Sequence, residues 1–340
     1  MTAARHAVLI LAAALVVSGC PKKDEVVVRT GEGKELGEVA IDSDPPALLP
    51  GGFVALAYGD AKKIFASPFG LKILKMLKER APIPTSAGFE PERDIDRAWV
   101  GTYSMQGIDV VAVVSGRFDP KRIEQAAASQ PQTPLGGAVV VSEYAGRRLY
   151  TVQNIGFVVL TPRTVLVGTE TAMRRALDRI KEGRVRRQIP DWLDALLKTP
   201  NAPIVVGSDL RRNPVPEAVR AQLPFVEKLE TIRLVANFEA PGLNVAGTLG
   251  YEDEQAAQTG VAALNDLYRN LDRYGWILAL LQIPQPIKRL DARAEASEGK
   301  LVAALDGQAI TALLDRLDTF LGASPGASAI EATTTAPVAP

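Results

Sequence analysis

The sequence predicts an α+β protein, a tandem duplication of a mostly antiparallel sheet with helices packed on one face. Three observations carry this. Short apolar strands come in hairpins, with amphipathic helical stretches between them, rather than in parallel crossover units. An apolar strand ending in aspartate occurs twice, at Phe53–Asp60 and at Pro203–Asp209. Two turn glycines, Gly107 and Gly242, lie 135 residues apart, and Leu177-Asp178-Arg179 recurs 137 residues later as Leu314-Asp315-Arg316.

In chain order, each aspartate at a strand end sits where a helix N-cap would accept backbone N–H bonds. The first helix that follows is signalled by Ser67-Pro68, with Leu71, Leu74 and Leu77 marking its apolar face. Its counterpart opens at Pro214 and Pro216 and runs through Val219, Phe225 and Leu229. A hairpin comes next in both copies, 97–104 with 108–117 about Gly107, and 231–239 with 243–252 about Gly242. Glycine suits a tight turn that needs a positive φ. Asp119-Pro120 and Asp253-Glu254 then open helices, with acidic residues favoured at the positive end of the helix dipole. Further strands are expected at 138–145, 148–154, 156–161 and 164–168, and at 288–297 and 300–306. Each copy closes with the helix that carries the shared tripeptide. This element order resembles duplicated modules in uncharacterised bacterial surface and periplasmic proteins, a likeness that implies no activity.

Composition narrows the chemistry. The 340 residues carry 39 basic and 39 acidic side chains, so no global field favours nucleic acid or anionic lipid. Hydrophobic residues make up 47% of the chain, enough for real cores. The only histidine is His6 and the only cysteine is Cys20. A Ser-His-Asp or Cys-His site and a usual zinc site therefore have no ligands or bases to draw on in the body of the chain. No cofactor or metal site is expected. Enzyme chemistry would have to come from carboxylates with Mg²⁺ or from a Ser-Lys pair.

The N-terminus is the most specific stretch. One firm positive charge, Arg5, precedes the unbroken apolar run AVLILAAALVV, residues 7–17. Eleven helical residues reach about 16 Å, half of a ~30 Å hydrocarbon core, which is the pattern of a signal peptide and not of a spanning helix. The small residues Val17, Ser18 and Gly19 then lead into Cys20. This tetrad resembles the lipobox of bacterial lipoproteins. The resemblance implies cleavage before Cys20 and acylation of the Cys20 sulfur and the new amino terminus. Acyl chains of this kind, two or more together, anchor a protein stably. The position after the cysteine is Pro21 where an aspartate retains lipoproteins of diderm bacteria in the inner membrane, so the resemblance favours the outer membrane; the expected side is the periplasmic one, which the motif itself does not specify. An exported chain usually spends its cysteines in pairs, and a lone one at this site agrees with lipidation.

The expected organisation is a signal peptide at 1–19, a lipid anchor and flexible tether at 20–48, repeats at 49–200 and 201–322, and a disordered tail at 323–340. Other features invite a functional reading. The run RRALDRIKEGRVRR supplies Arg174, Arg175, Lys181, Arg184, Arg186 and Arg187, a candidate patch for an anionic partner or else the solvated face of a helix. The stretch YGWILALLQIPQPI, 274–287, reads as a core helix or a greasy partner surface. Trp99 and Tyr103 alternate on one strand face, as core packing or as a sugar platform. The acidic trio Glu252-Asp253-Glu254 reads as helix capping. The function expected from all this is a membrane-anchored envelope lipoprotein with a non-catalytic binding or scaffolding role, its partner an envelope protein or polymer. Carriage of a lipid or other hydrophobic ligand is the alternative, and a carboxylate/Mg²⁺ or Ser-Lys enzyme the second.

Overall fold

A computed structural model describes residues 35–322, apart from short stretches at 81, 84, 105–106, 108, 130–132, 134–136 and 184–185 and a longer one at 275–283. Its chain runs α1 (Glu38–Ser43), a 3₁₀ turn (Pro45–Leu48), β1 (Ala55–Asp60), α2 (Ala61–Phe65), α3 (Gly70–Arg80), α4 (Pro91–Asp94), β2 (Ile95–Thr102), β3 (Val110–Gly116) and α5 (Pro120–Ser129). Then come β4 (Val140–Tyr144), β5 (Arg147–Val152), β6 (Ile155–Val159), β7 (Thr164–Thr169), α6 (Glu170–Lys181) and α7 (Asp191–Leu197). The second half holds β8 (Ile204–Asp209), α8 (Glu217–Arg220), β9 (Leu229–Asn237), β10 (Gly242–Tyr251), α9 (Glu254–Arg269), β11 (Ile287–Glu295), β12 (Glu298–Asp306) and α10 (Gly307–Gly322).

All the strands join one 12-stranded antiparallel sheet, ordered β11-β12-β10-β9-β8-β1-β2-β3-β7-β6-β5-β4. The α+β class is as the sequence predicts. The two halves meet where β1 pairs with β8. There Ala57 faces Val206, each three residues before the aspartate that ends its strand, so the two strands pair symmetrically about that position.

The helices cover the back of the second half, where α9 packs Ala256 and Ala257 onto Leu249 and Tyr251. Gly260 permits this approach, since a Cβ there would fall 2.5 Å from the Tyr251 ring. The first half departs from the expectation of one covered face. Its front is covered by α1, the 3₁₀ turn and α6, which pack Ile41, Leu48, Met173 and Leu177 against Trp99, Val111, Val113 and Leu166. Its back is covered by α5, with Ile123 and Ala127 against Val114, Phe157 and Val165. The cause is in the strands. β3 opens VVAVV and β7 opens TVLV, apolar on both faces, so both must be buried. β11, by contrast, alternates as KRLDARAE, and its charged face stays in water.

Residues 35–48 correct the expected tether. Ile41, Ala47 and Leu48 have no exposed surface, and Leu36 N–H bonds to the Ile180 carbonyl. The segment belongs to the core because burying its apolar side chains outweighs the cost of ordering a short stretch. Two other differences are local. Asp60 caps α2 by accepting the Lys63 N–H, but Asp209 accepts the Arg211 N–H in a turn, and helix structure begins only at Glu217. The face expected to bury on α3 is also open, with Leu71 85% exposed, because the helix leans on α10 through Lys72–Asp315 and Lys75–Asp318.

Candidate functional site

Strand periodicity builds the site. Side chains paired across antiparallel strands share a face and stand about 5 Å apart. On the front, one row crosses β1, β2, β3 and β7 as Tyr58, Trp99, Val113 and Leu166. The next row, at the strand ends, is Asp60, Arg97, Ser115 and Thr164. The first row packs against the core with its Tyr58 and Trp99 edges left at the cleft, and in the second row Thr164 is buried while Arg97 stays exposed. Over the second row lie Asp42–Pro46 at the end of α1 and Leu197-Lys198 at the end of α7. Together they form a cleft of about 350 Å³, lined also by Arg163 and Arg187.

Each wall is fixed by identifiable bonds. Tyr58 and Trp99 make an aromatic side, their ring centroids 5.6 Å apart. Burial pushes the Tyr58 phenol up, Arg97 pulls it down and Asp60 adds to the rise, so it is a neutral donor at ordinary pH. Arg163 rides on the β6–β7 turn. Thr161 Oγ1 accepts the Arg163 and Thr164 N–H groups at 3.0 and 2.9 Å, and both threonine hydroxyls donate to Asp42 Oδ1 at 2.6 Å. Asp42 thereby ties α1 to the turn that carries Arg163. On the far wall Arg187 bridges Asp44 and Asp194, and Lys198 also binds Asp194.

The cations therefore divide. Arg187 and Lys198 are neutralised, whereas Arg97 and Arg163 have no ion pair among the described residues. Their neighbouring carboxylates are committed elsewhere, Asp60 to its cap and Asp96 to Lys62 at 3.6 Å. A second opening of about 440 Å³ shares Arg97, Ser115 and Arg163 and adds Lys62 and Lys63 together with Asp60 and Asp96. A third, about 570 Å³, adds Arg117 and again includes Arg163. These form one groove around the strand ends, with exposed guanidiniums at its centre. Among the described residues no group of three or more His, Cys, Asp or Glu is placed to hold a metal.

The residues singled out from sequence fare differently. Val17, Ser18, Gly19 and Cys20 lie outside the described residues, as do Arg184 and 275–283 of the greasy stretch. Of the basic run, three members are ion-paired rather than free. Arg174 pairs with Glu170 and lies over the Tyr144 ring, Arg175 forks onto Asp109 and lies over Tyr103, and Arg187 is bridged as above. Ion pairing at these sites spends the charge on holding α6 and α7 in place. Lys181 and Arg186 remain exposed. Trp99 is only 9% exposed and Tyr103 donates to the Pro50 carbonyl, so the pair packs the core and is no open platform. Asp253 caps α9 by accepting the Ala256 N–H at 2.7 Å, as expected of the acidic trio.

No family model matches the chain, and no curated protein is significantly similar to it. Among solved structures, crystal form III of TP0453 superposes with a TM-score of 0.51 at 11% identity, covering 81% of this chain and 98% of that one. Crystal form IV of TP0453 gives 0.50 at 9% identity, covering 81% and 96%. The fold is similar to that of TP0453. At this identity the likeness to TP0453 concerns the path of the chain and carries over no residue of the groove.

Proposed function

We propose that this chain is a lipid-anchored protein of the bacterial envelope, on the periplasmic face of the outer membrane, with a non-catalytic binding role exercised through the groove at the strand ends. The observation that carries the binding role is the division of charge there. Arg97 and Arg163 stand open in a cleft while the carboxylates around them are bound to other groups. A site of fixed donors without a competing internal partner is suited to hold something. Asp44 and Asp194 are both bound by Arg187, so neither stands free as an acid or base in the cleft. The openings are lined by charged side chains, which disfavours carriage of a hydrophobic ligand.

The anchor rests on the apolar run and on Val17-Ser18-Gly19-Cys20. From Cys20 to Glu35, where the described body begins, the chain can span at most about 50 Å. The groove wall at Asp42 follows soon after. An anchored body would thus hold its groove within reach of the membrane surface and of envelope polymers or proteins near it.

Expression of the wild type and of Cys20→Ala in a diderm host tests this. Intact mass should show an acylated chain starting at Cys20 in the membrane fraction, and the variant should lose both the acyl mass and the membrane association. A wild type recovered soluble and unacylated would withdraw the anchor and the location together.

A further inference from the structure

We propose that the cleft binds a phosphate monoester, held between the guanidiniums of Arg97 and Arg163 over Ser115. This names the ligand class of the binding role above and rests on that reading.

The argument starts from donors. Arg97 comes from β2 and Arg163 from the β6–β7 turn, and they line the same two openings from different elements. Each guanidinium presents a planar fork suited to two oxygens of one anion. Ser115 is the cross-strand neighbour of both Arg97 and Thr164, and its hydroxyl makes no hydrogen bond among the described residues. Tyr58 adds a neutral phenol on the same face. Lys63, also without an ion pair among the described residues, lies in the second opening, where the four cations Lys62, Lys63, Arg97 and Arg163 outnumber Asp60 and Asp96.

Charge and shape then choose among anions. A carboxylate is planar, carries one charge and is satisfied by a single fork. Two forks from different directions, with a hydroxyl between them, match a tetrahedral group with three free oxygens. Asp42 and Asp44 also line the cleft. Both are already occupied, Asp42 by the Thr161 and Thr164 hydroxyls and Asp44 by Arg187, whereas the two guanidiniums are open to the anion. The cleft of about 350 Å³ is larger than a bare phosphate requires. The remaining space lies against Tyr58, Trp99 and the Pro45-Pro46 corner, where the esterified part would rest. Such a monoester can belong to a soluble compound or to a lipid headgroup.

Isothermal titration calorimetry of the full chain in zwitterionic detergent, with glycerol 3-phosphate, inorganic phosphate and acetate as titrants, tests the proposal. We expect saturable binding of glycerol 3-phosphate, with acetate at least about tenfold weaker and the affinity falling as salt rises. Arg97→Gln and Arg163→Gln should each weaken it by about tenfold or more, the scale of a lost charge-assisted bond. Arg97→Lys and Arg163→Lys should recover part of the loss, since the charge returns without the fork. Arg148→Gln, which removes an exposed cation paired with Glu124, should leave binding unchanged.

A second readout needs no variant: glycerol 3-phosphate should protect Arg97 and Arg163 of the wild type from phenylglyoxal. To separate the sources, the unanchored Cys20→Ala chain is sedimented with phosphatidylcholine vesicles with and without phosphatidic acid. Arg97-dependent sedimentation with phosphatidic acid assigns the lipid headgroup, and its absence with glycerol 3-phosphate binding intact assigns a soluble ester. The proposal is overturned if no phosphate probe binds saturably, or if the folded double Gln variant binds as tightly as wild type. Failure here with Cys20 acylated leaves the envelope reading standing, and phosphate binding by an unacylated wild type does the reverse.

Discussion

Asp194 holds two cations at once, Lys198 and Arg187, and Arg187 reaches on to Asp44. The Lys198 hydrogen bond is the main reason the Asp194 carboxyl lies below its usual range; burial opposes the shift and Arg187 supports it. A carboxyl depressed in this way contributes stability that is fully present above its unfolded value, about pH 4, and is lost as pH falls through the folded value. Urea midpoints should therefore be level from about pH 7 to pH 5 and fall below about pH 4. Asp194→Asn should be less stable than wild type at neutral pH and should show a shallower acid decline. Equal slopes for the two proteins would remove Asp194 from this account. A residue that reads as surface charge in sequence is thus part of the internal bracing. Arg179 makes the same point more strongly. It is buried and donates to the carbonyls of Ala47 and Arg186, joining the 3₁₀ turn to the segment before α7. Nothing in LDRIK distinguishes such an arginine from its exposed neighbours, because its partners lie 132 and 7 residues away.

At the scale of elements, the strands and the longer helices were legible because their patterns repeat. The hairpins expected about Gly107 and Gly242 and the helices opened by Pro120 and Glu254 fall within a few residues of their expected bounds, but neither glycine has the positive φ expected of it, and Gly242 is the first residue of β10. α1 was not legible. A helix of six residues with one buried side chain, followed by a 3₁₀ turn, offers no period to detect within a charged stretch. Its contribution is measurable. Ile41→Ala should lose about 2–5 kcal/mol, the range for emptying a fully buried aliphatic site. Val39→Ala, one side of the same helix and 84% exposed, should change stability by less than about 0.5 kcal/mol. Equal small losses in chemical denaturation would return residues 35–48 to the status of a tether. The groove was hidden for a related reason. Tyr58, Arg97 and Ser115 are ordinary strand residues. Asp42 lies in the supposed tether, and Arg163 sits in a turn.

For the whole molecule, the decisive contact is between β1 and β8. Each would be an edge strand if its half stood alone, and an uncovered edge invites pairing with another chain. Gly207 on β8 also lets α7 of the first half come close, since a Cβ there would fall 2.3 Å from Leu193 Cδ1. The halves share a core as well as a sheet. Fragments 35–200 and 201–322 produced separately should self-associate, and mixing them should restore a single heterodimeric species in size-exclusion chromatography with light scattering. Two stable monomeric fragments that ignore one another would show that the halves are independent domains.

The sequence by itself determined the α+β class, the repeated element order, the hairpins, and the caps at Asp60, Asp119 and Asp253, because local propensity and periodicity act within a dozen residues. It also supplied the whole case for the anchor at Cys20, which is a matter of linear motif. Only the tertiary structure decided that the repeats form one sheet, that the first is covered on both faces, and that residues 35–48 are core. It also decided which arginines are free. The charge on Arg175 and Arg187 is neutralised by carboxylates that folding brings alongside, whereas Arg97 and Arg163 form no ion pair among the described residues. Pairing of that kind depends on distance in space, and no reading of neighbours along the chain contains it.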